Sequence, residues 1–153
     1  MKKLIFLSAL VFVFIASCVS ENEILLEQTV IVEVFWIDSL GVKTESTGSL
    51  ALLFEYDDFD FEASCQSIFT GRVMMLANGE FVRYRYHSAQ EDGHVHVLER
   101  IGNGKYCIVV FFNIGDNLCI GYRIVLIDRD MHNTPIRFIF TEDDQNAFLS
   151  LVE

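Results

Sequence analysis

His94 and His96 stand two positions apart in Gly93-His94-Val95-His96-Val97, a spacing that sends both side chains from one face of a strand. Two imidazoles so placed are candidate ligands of a zinc or copper ion, with His87 or an acidic group as a third, but without spaced cysteines no metal site is expected. The plainer alternative is a water-facing hairpin with Val95 and Val97 pointing inward. Next in interest is Arg83-Tyr84-Arg85-Tyr86. At a period of two, Arg83 and Arg85 share a face with Phe81 and His87, while Tyr84 and Tyr86 share the other with Val82. Guanidinium forks grip carboxylates and rings stack on sugars, so Arg83, Tyr84, Arg85 and Tyr86 form the candidate ligand platform. In the plainer alternative the tyrosines bury their rings and the arginines balance nearby carboxylates. Asp57, Asp58, Asp60 and Glu62 offer oxygen ligands for calcium. They lack an Asp-x-Asp-x-Asp-Gly loop to fold them around one point, and a solvated acidic strand edge is the preferred reading.

Beyond Cys18 the chain has three cysteines, Cys65, Cys107 and Cys119, and with Cys18 set aside this odd number leaves at least one unpaired. If Gly115-Asp116 is a two-residue turn, position 107 faces 124 and position 119 faces 112. Cys107 and Cys119 then point to opposite faces of one hairpin, which disfavours a bond between them. No Gly-x-Ser-x-Gly, His-Glu-x-x-His, phosphate loop or dinucleotide fingerprint is present. No catalytic residue and no cofactor is expected.

The elements that must position these residues are strands. Thr29 to Ile37 alternates with Val30, Val32, Val34 and Trp36 on one face, and its other face is apolar enough for a central position. Asp38-Ser39-Leu40-Gly41 is a turn. Ser49 to Tyr56 places Leu50, Leu52, Phe54 and Tyr56 together, and the alternation from Asp57 to Glu62 predicts another extended segment. Phe69 to Leu76 and Phe81 to His87 form a predicted hairpin around Ala77-Asn78-Gly79-Glu80. His94 to Leu98, Lys105 to Phe112, Leu118 to Ile127 and Pro135 to Phe140 complete the series. Glu142 to Val152 reads as a short helix with Thr141 as its N-cap. With no strand–helix alternation, the prediction is an all-β fold, an antiparallel β-sandwich with a short C-terminal helix.

The chain has 153 residues, 52% of them hydrophobic, and a net charge of −11. So apolar a chain is not disordered, and its length suits one domain. The acidic balance argues against nucleic acid, and none is expected as a partner, since binding there rests largely on Lys and Arg neutralising phosphates. Lys2-Lys3 followed by the apolar run Leu4 to Ala16 is a signal-peptide pattern, too short for a spanning helix of about 20 residues.

Ile15-Ala16-Ser17-Cys18 resembles the lipobox of bacterial lipoproteins. The resemblance implies cleavage before Cys18 and acyl chains on that residue, anchoring the protein in a membrane. Val19, where an Asp would favour inner-membrane retention, leans towards the outer membrane. Each buried methylene contributes about 0.8 kcal/mol, so two or three chains hold firmly where one is marginal. The expected organisation is a signal peptide over 1–17, a lipidated Cys18 with its tether to 28, and a β-sandwich domain over 29–153.

The turn Asp38 to Gly41, the strand Leu50 to Tyr56, and the run Glu91-Asp92-Gly93 through Gly104-Lys105-Tyr106 into a buried strand resemble prealbumin-like (transthyretin-like) sandwiches, including carboxypeptidase regulatory-like domains. An immunoglobulin-like sandwich is the alternative, without the Cys…Trp…Cys spacing of antibody domains. Small lipoproteins with such folds imply a non-catalytic binding or assembly module at the bacterial cell envelope, with an envelope protein or a glycan as partner. The alternatives are a small envelope hydrolase and a structural anchor for a surface filament.

Overall fold

The first strand, β1 (Gln28–Ile37), buries Val30, Val32 and Val34 on one face and rests Trp36 against the same core. The structure is a computed structural model, described for residues 27–150 apart from 46–47, 91–92, 115–116, 129–130, 132–133 and 145–147. The segment expected to be a signal peptide, Cys18 and most of the expected tether therefore lie outside the described residues.

After β1 come β2 (Lys43–Glu45), β3 (Ser49–Glu55), the helix α1 (Phe61–Gly71), β4 (Val73–Met75), β5 (Phe81–Arg83), β6 (Tyr86–Gln90) and β7 (Val95–Ile101). The chain continues through β8 (Gly104–Ile114), β9 (Asn117–Ile127), β10 (Ile136–Thr141), a single 3-10 turn (Glu142–Asp144) and β11 (Phe148–Ser150). In sheet one, β1 lies between β10 on one edge and both β7 and β2 on the other. Sheet two runs in the order β11-β9-β8-β3-β6, and β4 with β5 makes a separate hairpin. The fold is all-β apart from one short helix, as the alternation predicts. Two of its pairings, β1 with β10 and β9 with β11, are parallel.

Sheet two is greasy on both faces, and this dictates three layers. Ala51, Leu53, Ile108, Val110 and Phe112 face sheet one and pack with Phe138 and Phe140. Leu52, Phe54, Cys107, Val109 and Phe111 face the other way and need a second cover. Helix α1 and the β4–β5 hairpin supply it through Ile68 and Met74, with Phe59 from the preceding loop. Each such fully buried side chain contributes roughly 1.5–3 kcal/mol, so neither core is dispensable.

The helix corrects the sequence reading. The segment from Asp57 to Glu62 is not a strand, because Asp60, itself still extended at φ −82°, ψ 93°, is the N-cap of α1, its carboxylate accepting from the Ala63 N–H at 2.9 Å, and the helix begins at Phe61. Phe61 then stacks on Tyr122 of β9, with ring centroids 4.3 Å apart and 9° between planes. Phe69 and Thr70 accordingly belong to α1, and the hairpin strands shrink to three residues each around the expected turn, where Gly79 has φ +87°. Towards the end of the chain, the described residues of the helix expected over 142–152 form a 3-10 turn and a strand instead, the rest lying outside the described residues. Asp144 reaches back to accept from the Thr141 N–H and hydroxyl, closing a single 3-10 turn, and Phe148–Ser150 pairs with β9.

Among the described residues, no helix is long and apolar enough to cross a membrane.

Candidate functional site

Helix α1 ends at a conformation that arginine disfavours. Arg72 caps it at φ 54°, ψ 39°, and its N–H donates to the Ile68 carbonyl at 3.2 Å. That left-handed position is ordinarily filled by glycine, and holding it with an L side chain costs about 1–2 kcal/mol. Here glycine stands one place earlier, at Gly71. Immediately after Arg72, Val73 pairs with Arg83 across the β4–β5 hairpin, which brings the two arginines to one end of it. Gly71, Arg72, Arg83 and Tyr84 line an open cleft of about 410 Å³.

The charges around the domain make this cleft distinct. Arg85 is paired with Glu55, Arg137 with Glu33 at 2.8 Å, and Arg100 with Glu27 at 3.9 Å. Lys43 sits 3.4 Å over the Phe35 ring, Lys105 3.7 Å over Tyr56, and Arg123 5.6 Å over Phe138. Among the described residues, the basic side chains left without a carboxylate or ring partner are Arg72 and Arg83, and both line the cleft. Among the described residues, no histidine or carboxylate lines it with them.

The four-residue platform expected from the sequence is divided by a break in the chain. Residues 84 and 85 leave the hairpin and carry the chain into sheet two, where the Arg85 N–H donates to the Leu53 carbonyl at 2.8 Å. Tyr84 packs edge-on against Phe54 with centroids 6.4 Å apart, on the helix side of sheet two. Tyr86 begins β6 opposite Leu53 and turns to the other core, its hydroxyl donating to the Arg100 carbonyl at 3.4 Å. Arg85 lies over Tyr86 and is held by Glu55. Arg83 and Tyr84 thus remain at the cleft, Arg85 and Tyr86 serve the frame, and Arg72 joins. Sequence reasoning missed Arg72 because it ran a strand through 69–76; reading Asp60 as a helix cap would have exposed Gly71-Arg72 as the helix end.

The two histidines do not converge. His96 lies inward opposite Val32, fully buried, with Nε2 2.8 Å from the Ser49 hydroxyl of the facing sheet. Val95 and Val97 take the outer face, Val97 being 47% exposed, so the inward set is the reverse of the expected one. His94 precedes the strand and packs on Phe35 of the outer face at 5.0 Å. Burial lowers the His96 pKa from its ordinary 6.5, with a smaller opposing pull from the Ser88 carbonyl, although Nδ1 makes no hydrogen bond of normal geometry. Among the described residues, no group of three or more His, Cys, Asp or Glu side chains gathers as a metal site.

The cysteines follow the register argument. Cys107 pairs with Ile124 and Cys119 with Phe112, placing the two thiols in different cores. Both are free, as is Cys65 on α1. Burial pushes the Cys107 thiol up to about 12; burial and the nearby Asp144 push Cys119 up to about 11. Neither is a thiolate at neutral pH. Of the acidic residues proposed for calcium, Asp57 accepts from the Asp58 N–H and Asp60 from the Ala63 N–H.

No family model, curated protein or solved structure matches the chain.

Proposed function

We propose that the chain is an exported, lipid-anchored module that binds a ligand at the bacterial cell envelope without catalysing a reaction on it. The binding role rests on one observation: the partnerless described arginines of an acidic domain meet on a single open cleft. An opening lined by two guanidinium groups and a phenol holds anions; it contains no nucleophile paired with a base. Location rests on Lys2-Lys3, the apolar run Leu4 to Ala16, and Cys18 preceded by Ile15-Ala16-Ser17. Acyl chains on Cys18 supply the membrane partnership, and Val19 favours the outer membrane.

The anchor is tested by expressing the full chain in a bacterium fed labelled palmitate. Label should enter the wild type and co-sediment with membranes, while Cys18→Ser should carry no label and move to the soluble fraction. A Cys18→Ser chain that sediments as before overturns lipid anchoring.

A further inference from the structure

The outward face of the β4–β5 hairpin carries a second unusual feature beside the cleft. Met74 and Val82 point into the core, so Arg83 and its neighbour two places back, Phe81, project the opposite way. Phe81 is 59% exposed on a three-residue strand. Among the described residues, the other exposed large apolar side chains, Leu40, Val42, Val97, Ile124 and Leu126, lie elsewhere in the chain. A single exposed ring on the hairpin face that carries Arg83 is too small for a protein interface, which buries about 800 Å² per partner around an apolar centre. Its size instead suits a small-ligand cleft, for which about 300–1,000 Å³ is usual.

We infer that Arg72 and Arg83, with Phe81 and Tyr84 beside them, bind an acidic polysaccharide built of carboxylate-bearing pyranose rings. This rests on the binding-module reading and names its ligand. A uronic acid ring offers both surfaces the site complements: an apolar C–H face for an aromatic ring, and a planar carboxylate for a guanidinium fork. Arg72 at the helix end and Arg83 on β5 each offer one guanidinium to a carboxylate, which favours a ligand carrying several of them. The carbonyl end of α1 opposes an anion with only about half an elementary charge, against two full positive charges. The left-handed backbone of Arg72 has the same explanation. Glycine would relax the helix end but would remove one of the two guanidinium groups.

The full chain in detergent is titrated with oligomers of galacturonic acid at low ionic strength, with methyl-esterified and neutral oligomers and inorganic phosphate in parallel. The acidic oligomer should bind and weaken with added salt, whereas the esterified and neutral ones should bind at least ten-fold more weakly. Arg83→Ala should lose ten-fold or more in affinity, and Phe81→Ala about three-fold. Arg72→Gly separates binding from folding, since its melting temperature should hold or rise while its affinity falls ten-fold or more. The proposal is overturned if wild type ignores the acidic oligomer, if Arg72→Gly binds it unchanged, or if phosphate competes equally at equal concentration. Palmitate labelling at Cys18 is scored separately, so failure here leaves the anchor standing.

Discussion

Protonating His96 would place a charge between two apolar sheets, with one hydroxyl and a nearby carbonyl as its polar company. Its pKa is lowered in the fold, so below about pH 6.5 the unfolded chain binds a proton that the native chain does not. Stability from this group is therefore complete above that pH and declines as the pH falls, by at most about 1.4 kcal/mol per unit. Urea denaturation at a series of pH values should show this slope in wild type and a shallower one in His96→Asn between pH 6.5 and 5. An equal slope in both would show that His96 does not titrate across unfolding. Arg85 is the opposite case. Its pair with Glu55 lies in water, and Arg85→Ala should change stability by no more than about 1 kcal/mol. Among Cys65, Cys107 and Cys119, iodoacetamide should modify Cys65 first, because the other two are buried thiols. Peptide mass spectrometry over a time course reads that order.

Ser64 fastens helix to hairpin. Its buried hydroxyl donates to the Asp60 carbonyl at 2.6 Å and accepts from the Met75 N–H at 2.8 Å, while Ser67 donates to the Val73 carbonyl at 3.0 Å. Ser64→Ala would strand the Met75 N–H and should cost about 1–3 kcal/mol by denaturant titration. Asp60→Ala, which removes a cap, should cost about 1 kcal/mol. A negligible loss in both would mean that α1 is not held by these contacts. These polar details were poorly legible in the chain. Asp58-Phe59-Asp60-Phe61-Glu62 alternates as a strand does, and only the cap at Asp60 distinguishes the start of a helix. The same blindness hid Arg72, a residue of the site. Where packing alone decides, the sequence spoke more clearly: Val30, Val32 and Val34 of β1 share one core, Leu50, Leu52, Phe54 and Tyr56 share one face although the opposite face of β3 is buried as well, and Cys107 and Cys119 fall on opposite sides of their hairpin. His96 escaped because a two-residue period names a face without saying which side is wet. Only the register with Val32 settles that.

Sheet two, as the middle of three layers, couples both cores. Ile68→Ala in the helix layer and Phe138→Ala in sheet one should cost about 2–5 kcal/mol and about 3–5 kcal/mol respectively. Both variants should still melt in one transition, because the strands they cover are shared; a separate early transition in Ile68→Ala would show the helix layer folding apart. The pairing of β1 with β10 has a further outcome. Glu33 and Arg137, ion-paired across it, are 104 positions apart. As it leaves the ribosome, the polypeptide presents β1 long before β10, the strand that pairs with its Val32–Ile37 edge. Val32 through Ile37 must wait with one edge bare, open to chaperones and to misassembly. The wiring of the sheet thus keeps the travelling chain pliable until its last ribbons have emerged.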